Sequence, residues 1–208
     1  MAIETTQRIL MAARERFLPF GFARVTMDEI ASDLGISKRT LYQHFDSKEA
    51  LLREVMLDKV AGVTAGIDEV VERSGPSPTE KLSELVVFLA RRLPRFSKVF
   101  LEDMKRYAPD LWVELDSRRN RAVTESFRKL IVEGQKEGTF RSDLSLDLLL
   151  LILEAVLHRV VNPEVLVELP GTLAEVVVEI LEILSIGIMT DEGRRSLQAP
   201  LKEGGTNG

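Results

Sequence analysis

Apolar residues along this chain recur at spacings of three and four, and the strict alternation of a half-buried strand is absent. That spacing confines the fold to the all-α class, each helix burying a stripe of its surface. Local signals cut the pattern into segments. Thr26-Met-Asp-Glu29, Asp46-Ser-Lys-Glu49, Ser77-Pro-Thr-Glu80 and Thr172-Leu-Ala-Glu175 follow the capping-box spacing or its Asp variant, in which two side chains satisfy the free amides of a helix start. Gly21, Gly35, Gly75, Gly138 and Gly193 stand where helices would end. The predicted map has about nine helices, over 3–20, 27–34, 38–44, 47–72, 79–92, 95–106, 110–136, 145–161 and 172–190. Residues 191–208, polar and Gly-rich, are predicted as a flexible tail.

Several classes of protein are disfavoured by what the chain contains. Hydrophobic residues make up 45% of its 208 residues, enough for a packed core. With no cysteine, disulfide scaffolds, Cys–zinc sites and thiol nucleophiles fall away, in keeping with a reducing cytoplasm. The first residues lack the basic and apolar regions of a secretion signal, and the longest apolar run, Leu148–Leu153, is too short to span a bilayer. Gly62-x-x-x-Gly66 resembles a membrane pairing motif, but Asp58, Lys59 and Asp68 flank it, so it reads as close helix packing or a weak point in a helix. No phosphate-cradling loop or nucleophile elbow occurs, and no enzymatic activity is expected. With His44 and His158 as the only histidines, and Glu154 four residues before His158 rather than three, neither a metal site nor a cofactor is expected.

The net charge is −5, which at first argues against a nucleic-acid partner. Its distribution reverses that weight. Residues 1–60 hold 9 basic and 9 acidic side chains, whereas residues 143–208 hold 4 basic and 11 acidic ones. The acid therefore lies at the far end of the chain, and the first part is free to carry a basic face.

Residues 25–45 carry that face. Ile30, Ala31 and Leu34 form the buried side of one short helix, Gly35 supplies a tight turn, Ile36 fills the angle, and Leu41 and Phe45 form the buried side of the next. This is the pattern of a helix-turn-helix. Its outward side reads Ser37, Lys38, Arg39, Thr40, Tyr42, Gln43 and His44, almost all donors or cations. Arg or Lys pairs with guanine and Gln with adenine in a major groove, and Thr26 and Lys48 lie at starts of neighbouring helices, where amides face anions. The alternative is a solvated helix face, or an all-α scaffold module that binds protein without operator function.

The stretch from Ile9 to Met56 resembles the DNA-binding domain of the TetR (tetracycline repressor-like) family of transcriptional regulators. Phe17, Gly21, Thr26, Ile30, Ala31, Leu34, Gly35, Ile36, Ser37, Thr40, Leu41, Tyr42, Phe45, Ser47, Lys48, Glu49 and Leu51 carry the match. The resemblance implies an Ω-shaped homodimer with a three-helix DNA-binding domain over 1–46 and a ligand-binding and dimerisation bundle over 47–190. It implies that Thr26, Tyr42, His44 and Lys48 contact phosphate, and that Ser37, Lys38, Arg39 and Gln43 face bases or nearby backbone. Many relatives carry a small residue where this chain has Arg39. The implied function is that of a cytoplasmic repressor, released from its double-stranded DNA operator by an unknown small-molecule effector.

The rest of the chain suggests where such an effector and a second copy would lie. Phe88, Phe96, Phe100, Met104, Tyr107, Trp112, Phe127 and His158 are candidate pocket residues, although each taken singly also fits plain core. The last predicted helix is nearly apolar all round, with Glu175, Glu179 and Glu182 as its one acidic ridge, and the helix before it has the same excess. Such a pair suits either a four-helix dimer interface or full burial in a monomer. Leu153, Leu157, Val177, Ile180, Leu184 and Ile188 are the candidate interface residues.

Overall fold

The computed structural model describes residues 2–198, and the side chains of 4–195. Its elements are α1 (Ala2–Phe20), α2 (Met27–Leu34), α3 (Lys38–His44), α4 (Lys48–Glu72), α5 (Pro78–Arg92), α6 (Lys98–Tyr107), α7 (Pro109–Lys136), α8 (Leu146–Val160), α9 (Pro163–Leu166), α10 (Leu173–Ile188) and α11 (Asp191–Gln198). Among the described residues there is no strand, only one isolated bridge between Phe140 and Met189. The all-α reading holds. No described helix is long and apolar enough to cross a membrane.

Local chemistry sets the helix starts. Thr26 accepts from the Glu29 amide while Glu29 accepts from the Thr26 amide, closing a full capping box. Ser77 and Glu80 do the same at α5, where Pro78 opens the helix with no amide to satisfy. At α4 the cap is Ser47, whose hydroxyl accepts from the Ala50 amide, one residue later than the predicted Asp46. Ser97 caps α6, so that helix begins at Lys98 rather than at 95.

Two helices escaped the map. Asn162 caps the single turn of α9 ahead of Pro163. Thr190 accepts from the Gly193 amide and starts α11, so residues 191–198 are helical where a tail was predicted. The remainder of that predicted tail, 199–208, lies outside the described residues. Gly193 sits inside α11 instead of ending a helix. A Cβ there would meet the Thr139 carbonyl at 2.2 Å.

The chain forms two compact units. Among the described residues, the first joins 2–62, 94–118 and 160–173, and the second joins 63–93, 119–159 and 174–198. In the first, α1 packs on α2 and α6, α2 on α3, and α6 on α9. Its core holds Ile9, Phe17, Ile30, Leu41 and Leu51, all fully buried. In the second, Ile67, Leu85, Leu130, Phe140, Leu153, Leu181 and Met189 share one apolar cluster. Gly66 lies against the Phe88 ring, so the Gly62/Gly66 pair reads as close packing at its second member, while Gly62 faces open space.

Gly134 lies against the Phe140 ring in the same way. A Cβ would fall 2.3 Å from Cδ2 and 2.6 Å from Cγ of a ring that is 1% exposed. Gly134→Ala should therefore destabilise by about 1–3 kcal/mol, despite alanine's better helix propensity. Gly62→Ala, with nothing in its way, should be neutral or stabilising by up to about 1 kcal/mol. Urea unfolding of both variants checks the pair.

The capping boxes give a pH prediction. The backbone amides of Thr26 and Ser77, and then their hydroxyls, hold Glu29 and Glu80 below the ordinary value of 4.5. A carboxylate depressed in the folded state contributes stability above its unfolded pKa and loses it as pH falls through the folded one. The double variant Glu29→Gln, Glu80→Gln should melt below the wild type at neutral pH. The difference should close as pH falls below about 4. Thermal midpoints across that range measure it.

Candidate nucleic-acid interface

The reading head is built from α2, the Gly35 turn and α3. Gly35 takes φ +63°, and its amide bonds to the carbonyls of Ala31 and Ser32. The Ile36 amide follows onto Ala31. This is the left-handed ending that glycine permits without strain. Ser37 then caps α3: its hydroxyl accepts from the Thr40 amide at 3.0 Å and lies 2.8 Å from the Thr40 hydroxyl. Leu41 and Phe45 point into the core and turn the opposite side of α3 to solvent.

The nine residues expected to meet DNA divide sharply by what they already touch. Thr26 and Ser37 are exposed, but their hydroxyls serve their own helix caps. Lys38 Nζ lies 2.9 Å from the Asp28 carboxylate, which raises its pKa chiefly through their hydrogen bond. His44 is half-buried, its Nδ1 3.0 Å from the Thr6 hydroxyl of α1. Lys48 turns back onto the protein. Its ammonium donates to the carbonyls of Phe22, Ala23 and Val25 at 3.0, 3.2 and 3.0 Å and stands 4.5 Å above the Phe22 ring. Arg39, Tyr42 and Gln43 are exposed, and Arg39 and Gln43 have no side-chain partner among the described residues.

Ion pairs shape the field around this face. Arg16 of α1 grips Asp33 of α2 through two bonds of 2.6 and 2.7 Å, which lowers the carboxyl and raises the guanidinium. With Lys38 paired to Asp28, Arg39 is the cation of α3 left without an anion among the described residues. Arg24, which the sequence reading passed over, is a further exposed cation in the α1–α2 turn with no side-chain partner among the described residues. Its position two residues before the Thr26 cap was the signal that could have found it.

The eight pocket candidates separate between the units. Phe96, Phe100, Met104, Tyr107 and Trp112 belong to the first unit, and Phe88, Phe127 and His158 to the second. In the first, Phe96 stacks on Phe100 at 5.3 Å and meets Trp112 edge-on at 6.0 Å. Trp112 Nε1 donates to the Val161 carbonyl, and Met104 is fully buried on the same helix as Phe100. Tyr107 is 52% exposed with Arg106 over its ring. In the second, Phe127 and Phe88 pack in the apolar cluster, and His158 is exposed on α8. No three His, Cys, Asp or Glu side chains gather into a metal-binding group among the described residues.

The six interface candidates do not share one exposed face. Leu153 lies in the second unit's core, Leu157, Val177 and Ile188 pack against it, and Ile180 and Leu184 are half-buried. The outward apolar residues of these two helices are instead Leu148, Leu151 and Ile152 on α8 and Ile183 and Ile186 on α10.

Comparison with known proteins agrees with the head. The model of bacterial regulatory proteins of the tetR family matches residues 9–55. The transcriptional regulator UidR of Escherichia coli K12 is 43% identical over 145 residues, 68% of this chain and 71% of that protein. The regulator YvaF of Bacillus subtilis is 27% identical over 188 residues, covering 89% and 96%. Among solved structures, the TetR-family regulator PfmR of Thermus thermophilus superposes with a TM-score of 0.57 at 25% identity, over 85% of this chain and 96% of that one. This chain belongs to the tetR family of bacterial regulatory proteins and is a DNA-binding transcriptional regulator.

Proposed function

We propose that the chain acts as a dimeric repressor in the cytoplasm, reads an operator with α3, and is released from it by a small-molecule effector. The observation that carries the DNA-reading part is the pairing of Arg39 with Gln43. They lie four apart on one helix face, both exposed, both without side-chain partners among the described residues, on a helix whose other cation is tied to Asp28. A guanidinium offers two parallel donors to guanine, and a primary amide offers a donor and an acceptor to adenine. The other reading, a protein-binding scaffold, calls for an apolar outer face on α3. Tyr42, at 40% exposure, is its one large apolar contribution.

A second copy would cover Leu148, Leu151, Ile152, Ile183 and Ile186. Exposed aliphatics on two helices of one unit are costly to leave in water, and an isologous pairing buries each patch against itself. Two copies also bring two reading heads to one duplex, where half-sites repeat about every 34 Å. For the effector, the Phe96, Phe100 and Trp112 rings are the candidate aromatic lining, Phe96 half-buried and the other two buried beside it. The division into a DNA-reading segment over 1–46 and a ligand-binding and dimerisation segment over 47–190 belongs to the same proposal.

Selection of duplexes from a randomised pool by the full chain tests the reading, and a single enriched motif is the expected result. Arg39→Ala should then lose about 1–3 kcal/mol at one or two base pairs of that motif and little elsewhere. Recovery of no sequence at low salt would overturn the assignment. For the dimer, Leu151→Glu with Ile183→Glu should yield a monomer in sedimentation equilibrium. A variant that stays dimeric would remove this face from consideration.

A further inference from the structure

The turn between α1 and α2, residues 21–25, is held from two sides, and the DNA-facing residues do not explain why. The Ala23 amide donates to Asp103 Oδ2 of α6 at 2.8 Å. The carbonyl of the same residue accepts from Lys48 Nζ of α4 at 3.2 Å. One turn residue is thus bonded to two helices that arrive from later in the chain. The fit on the α6 side has no slack. Gly21 takes φ +90°, and a Cβ there would lie 2.6 Å from both Asp103 Oδ2 and Val99 Cγ1. Just before α6, the Ser97 amide bonds to the Leu18 carbonyl at 3.0 Å. The contacts therefore run from Ser97 to Asp103, nearly two turns of helix against the end of α1 and the turn that follows it.

The adjacent residues of α6 face the core. Phe100 and Met104, each one position after Val99 and Asp103, are fully buried, and Phe100 stacks on Phe96. One side of α6 grips the turn, and the next side carries the aromatic cluster.

We infer that Asp103 is a positioning residue for DNA reading. By fixing Ala23 it sets the direction in which the turn delivers α2 and α3. This rests on the proposal that α3 reads DNA.

The test uses the full chain as wild type, Asp103→Ala and Asp103→Asn. Each is titrated with a duplex that the wild type recovers from a randomised pool and with a scrambled duplex of equal length. Asp103→Ala should lose about tenfold on the recovered duplex, the weight of one charge-assisted hydrogen bond. It should match the wild type on the scrambled duplex, and exchange of the Ala23 amide should quicken. Asp103→Asn keeps a side-chain carbonyl oxygen and should restore both. A merely structural role would lower the thermal midpoint and weaken the two duplexes alike, and that result, or wild-type binding by Asp103→Ala, would overturn the inference. If the wild type recovers no duplex, the DNA-reading assignment fails first and this inference with it.

Discussion

The carbonyls of the α1–α2 turn have no helical partners, and the Lys48 ammonium gathers three of them. A buried or half-buried carbonyl without a donor is costly, so this one cation fixes the end of α1 against the start of α4. The head is assembled around that tie. Phe22 lies under the ammonium and edge-on to Phe17, which anchors the core of α1. Thr26 then closes its capping box, α2 runs to Gly35, and α3 leaves the turn with its apolar side inward. Each step constrains the next, and the last of them directs Arg39 and Gln43 into solvent.

The same geometry separates the head's cations by role. Arg16 is committed to Asp33, Lys38 to Asp28 and Lys48 to backbone carbonyls. The segment holds 9 basic and 9 acidic residues, yet Arg39 on α3 and Arg24 in the turn before α2 are exposed with no internal anion among the described residues. Net charge describes solubility and long-range steering. Recognition depends on which cations are left without an internal anion.

The head was legible because its signals are local. A capping box spans four residues, a glycine turn spans one, and the apolar stripe of α3 is a single spacing of four. What α3's neighbours touch was not legible. Thr6 meets His44 across 38 positions, and Lys48 meets Phe22 across 26, so the donors were visible and their partners were not. The helices α8 and α10 show a different limit. Each is apolar on more than one side, and periodicity alone does not say which side faces the core. Leu153 turned inward while Leu151 turned outward. The starts of α9 and α11 were written in Asn162-Pro163 and in Thr190 ahead of Asp191 and Glu192, but the segments are too short for apolar periodicity to show.

Hydroxyl-radical footprinting of the full chain on its recovered duplex tests the central claim most directly, that two copies read DNA with α3. Two protected patches on one face of the duplex, centred about 34 Å apart or at a multiple of that spacing, are the predicted result. A single continuous patch without that repeat, or protection that ignores sequence, would contradict it.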